Sequence, residues 1–316
     1  MSMVAVVVSP KRAKRFYRSE APRPMALTAR DINLLAHVAK HRMLSSDQLA
    51  LLDGGSAQNM RRCLRALFDH GYLDRPGAQL AQATITGPQP MVYGLTRKGA
   101  RALREHETLI DPTLNWSDKN RKAGSVFIAH TVAIADFMTK LEVACRARED
   151  VDLLEAKAII GNAPTKTRMA REPLRWLARL SDGGEFKTAS VIPDELFGLA
   201  FSDGTASYFM LEIDRGTMPV VRKGTNRTSF ARKLKTYYEG WKQKRHEEQL
   251  GIRQFRVLTV TTSPVRVQTM VAAVQELTGG AGSNVFLFAA VGEFDGKSPL
   301  DIEWVSGKGE RVRLAD

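Results

Sequence analysis

VIPDELFGLAFSDGTASYFMLEIDRGT, residues 191–217, is the stretch that decides the fold. Apolar residues lead into the turn at 202–204 and resume after it, and an Asp-Gly pair between apolar runs is a strong hairpin signal. We predict one strand over residues 189–201 and a second over residues 206–214. The hairpin makes the two strands antiparallel neighbours.

Both strands carry acids where buried strands are normally apolar. Asp194 interrupts the first strand, and Glu212 and Asp214 stand two apart in the second, so their side chains leave the same face. Counting outward from the turn places Asp194 and Glu212 at similar depth, so we expect three carboxylates to converge. A divalent cation, Mg²⁺ or Mn²⁺, would remove the cost of burying that charge. The alternative is that an acid of the second strand pairs with a neighbouring arginine such as Arg215.

The segments around this hairpin alternate between helix and strand. Their periodicity predicts helices over 130–148, 229–250 and 264–277 and strands over 153–160, 255–261 and 285–291. This order indicates an α/β (or α+β) domain with a mixed sheet, which we place at residues 127–292. The Gly- and charge-rich residues 293–316 are expected to be a C-terminal tail.

A separate N-terminal domain is predicted over residues 26–107. Helix starts are expected at Thr28, Ser45 and Ser56, followed by short strands and a last helix from Thr96. Three helices followed by a β-hairpin is the order of a winged helix-turn-helix. Residues 1–25 are interpreted as a disordered basic arm and residues 108–126 as a linker.

The third helix of this domain has one apolar and one polar face. The polar face carries amide and guanidinium side chains that can reach base edges and phosphates in a major groove. These candidate DNA-binding residues are Gln58, Asn59, Arg61, Arg62 and Arg65. The alternative is an ordinary solvated helix face.

The charge of the chain suits a polyanionic partner. Lys and Arg number 47 against 34 Asp and Glu, a formal net charge of +13, and neutralising phosphates releases counterions. Residues 215–245 are strongly basic with interleaved aromatics, which suits single-stranded or distorted DNA as well as a duplex site. Candidate DNA contacts there are Arg215, Arg232 and Lys242. The alternative is that the aromatics simply pack on the sheet.

The remaining composition excludes several classes of protein. The two cysteines, Cys63 and Cys145, are too few for a zinc cluster or a disulfide framework. No apolar run is long enough to cross a membrane. We therefore expect a cytoplasmic protein with no membrane partner.

Residues 193–194 together with 211–217 resemble the PD-(D/E)XK nuclease pattern. With the N-terminal winged helix, the chain resembles the replication-relaxation family, which overlaps the MOBC-type relaxases that nick plasmid or conjugative-element DNA. The resemblance implies a restriction-endonuclease-like fold with Asp194 and Glu212 as catalytic metal ligands and Asp214 as a third. The lysine of the pattern is Asp214 here, so Lys233, Lys235 or Arg215 would have to replace it.

These observations favour a metal-dependent, relaxase-like nickase that acts at a specific DNA site in plasmid or mobile-element mobilisation or replication. One alternative is a non-catalytic replication or transcription regulator with a degenerate nuclease fold. Another is an adaptor that recruits other mobilisation or replication proteins. Nicking by a variant at Asp194 separates the first hypothesis from the second.

Overall fold

The computed structural model describes residues 15–81, 89–106, 120, 122–182, 185–220 and 229–315. The chain divides into two compact units, residues 1–136 and residues 137–316. Helices combine with a large mixed sheet, so the predicted α/β class is confirmed. Most of the expected linker, and the expected arm up to residue 14, lie outside the described residues.

The first unit contains short helices and a small antiparallel sheet of order β1-β3-β2. Its elements are α1 Ala29–His41, β1 Met43–Ser45, α2 Ser46–Asp53, α3 Ala57–Asp69, β2 Leu73–Asp74, β3 Val92–Leu95 and α4 Arg97–Glu105, and α5 Ser125–Arg146 begins in this unit and continues into the second. The helices and the hairpin follow the expected order, and the short strand β1 was not predicted. The winged helix-turn-helix assignment itself stays a prediction.

Local side-chain caps explain where the first helices begin. Thr28 caps α1 and exchanges hydrogen bonds with Asp31, and Ser45 and Gln48 form the same reciprocal box at α2. Each box satisfies amide groups that the first helical turn leaves unpaired. Gly54 ends α2 in the left-handed conformation, at φ 71°. The starts predicted from Thr28 and Ser45 are therefore confirmed.

Residues 15–25 differ from the disorder expected of the arm, because they make specific contacts with the first unit. The guanidinium of Arg18 lies 4.4 Å from the ring centroid of Phe68 and donates to the carbonyl of Leu73 at 3.1 Å. The backbone amide of Ser19 donates to Asp69 at 2.9 Å. These contacts hold the basic segment against α3 and β2.

The second unit is built on a seven-stranded sheet of order β12-β11-β10-β9-β8-β7-β4. Neighbours β8, β9 and β10 are parallel and the other pairs are antiparallel. Its elements are β4 Val151–Glu155, α6 Ala156–Gly161, α7 Thr165–Arg168, β5 Trp176–Asp182, β6 Glu185–Val191, β7 Glu195–Phe201, β8 Ala206–Ile213, α8 Phe230–Lys242, α9 Arg245–Leu250, β9 Arg256–Thr261, α10 Pro264–Leu277, β10 Phe286–Ala290, a 3-10 turn Val291–Phe294, β11 Trp304–Ser306 and β12 Arg311–Val312.

Several sequence predictions for this unit were wrong. The strand expected over 189–201 is broken around Pro193, which cannot donate a ladder hydrogen bond, and β6 before the break pairs with β5 in a separate hairpin. Residues 156–161 are helical instead of extended. The helix expected over 229–250 bends at Lys244, which has φ 54°. Residues 293–316 are not a tail, because they supply β11 and β12.

Helices α8 and α10 share a large apolar core with the sheet. Side chains of both helices and of strands β8 to β10 belong to one buried cluster, which includes Leu234, Tyr237, Met270, Met210 and Phe286. This packing fixes α8 beside the end of β8, where the predicted acids lie.

Candidate functional site

Asp194 lies just before β7, across from the end of β8. Its amide donates to the carbonyl of Leu211 at 2.9 Å, and its carboxylate accepts a 2.7 Å hydrogen bond from the amide of Ile213. The strand register ends with the pair Glu195 and Leu211, so Asp194 lies just beyond it, next to the end of β8. Because the Asp194 carboxylate binds the amide of Ile213, the residue after Glu212, the two acids are close, as their equal depth indicated.

Glu212 is buried, with 2% of the residue exposed. The ammonium of Lys233 donates to its Oε2 atom, and the hydroxyl of Tyr237 donates to its Oε1 atom at 2.7 Å. Lys233 and Tyr237 stand four residues apart on α8 and therefore lie on the same helix face. The acid of one strand and two donors of one helix thus form a compact polar cluster inside the apolar core.

The environment of this cluster shifts the proton affinity of its members. Burial raises the pKa of Glu212 to about 7, against the opposing effect of the Lys233 ammonium, and the charge of Asp194 raises it as well. Burial alone lowers the pKa of Lys233, but the surrounding carboxylates outweigh it and the pKa is raised. Burial, with the charge of Glu212, raises the pKa of Tyr237 well above its ordinary value. Glu212 is therefore placed to exchange a proton near neutral pH.

Asp214 takes a different set of partners from Glu212. The guanidinium of Arg266, near the start of α10, forms a bidentate contact with its carboxylate, and the hydroxyl of Thr261 donates to it at 2.6 Å. Arg266 also donates to the carbonyl of Met218. Asp214 consequently ties the segment after β8 to β9 and α10. The arginine pairing considered for this acid exists, but the partner is Arg266 and not Arg215.

The side chains as placed do not fit a divalent cation. Both oxygens of Glu212 are engaged by Lys233 and Tyr237, and those of Asp214 by Arg266 and Thr261. No group of three or more His, Cys, Asp or Glu side chains in the described parts of the chain is arranged to hold a metal. The argument for Mg²⁺ or Mn²⁺ assumed uncompensated buried charge, and here the protein's own cations compensate it.

The two candidate lysines of α8, Lys233 and Lys235, contact different parts of the structure. Lys233 reaches Glu212, whereas Lys235 donates to the carbonyl of Ser181, in strand β5, at 3.1 Å. Positions two apart on a helix point in different directions, which explains the split. Lys233 therefore lies beside the acids at the end of β8, and Lys235 does not.

The other candidate DNA contacts of the second unit are spread along α8 and the segment before it. Arg215 is half-buried and Arg232 is exposed. Lys242 lies near the far end of α8, pairs with Glu239 at 2.8 Å and sits 5.2 Å from the ring centroid of Tyr238. Lys242 is thus removed from the cluster around Glu212.

The third helix of the first unit has the two faces that the sequence predicted. Met60, Leu64, Leu67 and Phe68 are buried. Gln58, Asn59, Arg61 and Arg62 are exposed. Arg65 differs from the other four because it is half-buried and pairs with Asp69 at 2.7 Å.

Comparison with known proteins places the chain in one family. The family model described as replication-relaxation matches residues 35–254, which is more than half of the chain. The chain belongs to the replication-relaxation family. No curated protein and no solved structure matches it. No helix in the described residues of this replication-relaxation protein combines the length and apolarity needed to cross a membrane.

Sequence reasoning missed some residues of the acidic site in this replication-relaxation protein. Arg266 and Thr261 were not considered, although they complete the surroundings of Asp214. Tyr237 was not predicted as a hydrogen-bond partner of Glu212. Its signal was available, because Lys233 and Tyr237 have helical i, i+4 spacing. Arg266 left no such signal, since it lies 52 residues from Asp214.

Proposed function

We propose that this protein acts in replication or mobilisation by binding a specific duplex DNA site through α3. The observation that carries the proposal is the exposed row Gln58, Asn59, Arg61 and Arg62 on the third helix of the first unit. Arginine reads guanine and contacts phosphate, and Asn and Gln read adenine, so this set combines affinity with sequence selectivity. Arg65 contributes less, because Asp69 already neutralises it.

The surroundings of α3 support the same proposal. A hollow of about 450 Å³ beside α3 is lined by the arginines Arg15, Arg61, Arg65 and Arg75, with Asp47 as the single acid among its lining residues. A cluster of positively charged side chains such as this one attracts the phosphate backbone of DNA.

Binding by fluorescence anisotropy to a duplex selected from a random pool tests this proposal. Arg61→Ala and Arg62→Ala should each weaken binding and reduce the salt slope by about one counterion per lost phosphate contact. The matched control is Arg101→Ala, which removes an exposed arginine of α4 and should leave affinity unchanged. Equal affinities for all three variants would contradict the role of α3.

We infer strand nicking at the cluster of Asp194, Glu212 and Lys233 as a second candidate function. One observation favours it: Lys233 lies against Glu212, where a nuclease of the resembled pattern needs a cation near its acids. The side chain of Lys233 is 34% exposed, so a phosphate can approach it from solvent. Glu212, with its pKa raised to about 7, suits proton transfer near neutral pH. A role for Mg²⁺ or Mn²⁺ would require Glu212 to leave its present partners.

Nicking of supercoiled DNA that carries the selected site tests the second candidate, with Mg²⁺, with Mn²⁺ and with a chelator. Nicked circles should form and should disappear in Asp194→Asn and in Lys233→Met. Lys235→Met is the matched control, because this lysine lies on the same helix but contacts Ser181. If the protein binds the site and nicks it under none of these conditions, the alternative of a non-catalytic regulator is favoured.

A further inference from the structure

A second surface of the α/β unit has a composition unlike that of the acidic cluster. A groove of about 920 Å³ is formed by the starts of β8 and β9, the end of α8 and the loops before β10 and β12. Its lining includes Tyr208, which precedes Glu212 by four residues on β8. At the rise of a β-strand, that is about 13 Å. The groove and the acidic cluster therefore lie at opposite ends of the same strands.

The lining of this groove is strongly basic. It includes Lys242, Lys244, Arg253, Arg256 and Lys308, and Glu247 is the one acid among the lining residues. The structure gives the side chains of Arg253, Arg256 and Lys308 no hydrogen bond or ion pair with any described residue. Lys244 pairs with Glu247 at 3.4 Å, but its side chain is 72% exposed, so this pair is weak. The groove thus offers several cations for an anionic ligand.

An aromatic pair lies next to these cations. The rings of Tyr238 and Trp241 are stacked, with centroids 5.8 Å apart and planes 21° from parallel. Trp241 is 37% exposed, whereas Tyr237 on the same helix is fully buried. Packing in the core therefore accounts for Tyr237, whereas Trp241 is partly exposed and lines the groove.

The backbone after α8 brings the lysines to this groove. Lys244 has φ 54°, which is uncommon for a residue other than glycine. The bend separates α8 from α9, and Lys242 before it and Lys244 at it both line the groove. A straight continuation of the helix would turn positions two apart to different sides.

We propose that this groove binds single-stranded DNA, with a base stacked on Trp241, which Tyr238 supports from behind, and phosphates on the surrounding cations. Every base offers a flat face to an aromatic ring, and neighbouring cations follow the backbone. In a duplex, neighbouring base pairs cover the faces of each base. A ring that stacks on a base therefore favours an unpaired strand. The inference rests on the proposed function in taking DNA as the ligand, but it uses residues outside α3.

Anisotropy with a short labelled oligothymidine tests the groove in the full-length protein. Trp241→Ala should weaken binding roughly five- to a hundredfold, the range expected when one stacked base is lost. The control is Phe186→Ala, which removes a 69% exposed aromatic of β6 that does not line the groove. The double substitution Arg253→Glu with Lys308→Glu should abolish most binding, and Lys157→Glu with Lys297→Glu, exposed lysines elsewhere, should not.

The same variants separate this inference from the role of α3. Loss of oligothymidine binding in the groove variants supports the groove even if α3 proves not to bind duplex DNA, and where the wild type binds a duplex, these variants should keep that binding. Equal effects of Trp241→Ala and Phe186→Ala would overturn it. Equal affinity of the wild-type protein for oligouridine would overturn the assignment to DNA.

Discussion

Glu212 shows how one residue can combine a structural and a chemical role. It is 2% exposed and bonded to both Lys233 and Tyr237. A buried carboxylate retains its charge only where nearby donors repay its lost hydration. Lys233 and Tyr237 offset part of the free energy lost on dehydration. The rest destabilises the charged form and raises the pKa of Glu212 to about 7.

Substituting Glu212→Gln should change how stability depends on pH. Between about pH 4.5, the ordinary value, and about pH 7, the folded protein holds a proton on Glu212 that the unfolded chain has released. The free energy of unfolding of the wild type therefore falls as pH rises through this window, by up to about 3 kcal/mol. This contribution is absent in Glu212→Gln, so its curve should be flatter.

Urea unfolding at several pH values across that window checks this prediction. Glu248→Gln is the control, since it removes a carboxylate whose side chain is 62% exposed, and it should retain the wild-type pH dependence. Parallel curves for the wild type and Glu212→Gln would show that Glu212 does not titrate in this range.

Among the elements, the hairpin β5–β6 depends on one close approach to α8. Trp176 is 1% exposed and packs with Tyr237 and Phe255, at centroid distances of 6.3 and 5.0 Å. A Cβ atom added at Gly240 would lie 1.9 Å from the indole nitrogen of Trp176. The absence of a side chain at Gly240 therefore lets the hairpin seat its tryptophan on the helix.

Gly240→Ala should destabilise the protein by roughly 1 to 3 kcal/mol, because a rigid ring in a filled core cannot move aside. Helix propensity alone would favour alanine by about 1 kcal/mol, so the sign of the effect identifies the clash. Gly161→Ala is the matched control, since Gly161 ends α6 with nothing within 4 Å of an added Cβ. Urea midpoints check both, and a stabilised Gly240→Ala would contradict the close contact.

The same elements show how far sequence could lead. The Asp203-Gly204 turn and the helix start at Thr28 depend on neighbours in the chain, so their patterns were sufficient. The hairpin β5–β6 was missed, because Trp176 is buried by a helix more than fifty residues later. The positions of Asp194 and Glu212 were predicted from the turn alone, whereas Arg266 reaches Asp214 only through the packing of α10.

On the scale of the whole molecule, the division into two units predicts how the protein unfolds. Each unit has buried apolar residues of its own: Leu64 is fully buried in the first, and Met270 is fully buried in the second. Units with separate cores unfold in separate transitions unless their interface is large. The boundary between the two units falls within α5.

Differential scanning calorimetry of two core variants tests this division. Leu64→Ala should cost about 2 to 5 kcal/mol and lower the transition of the first unit alone, whereas Gly240→Ala should lower that of the second. Because the substitutions lie in different units and share no partner, their effects should add in the double variant. If both variants instead shift a single common transition, the two units unfold together and the predicted division is wrong.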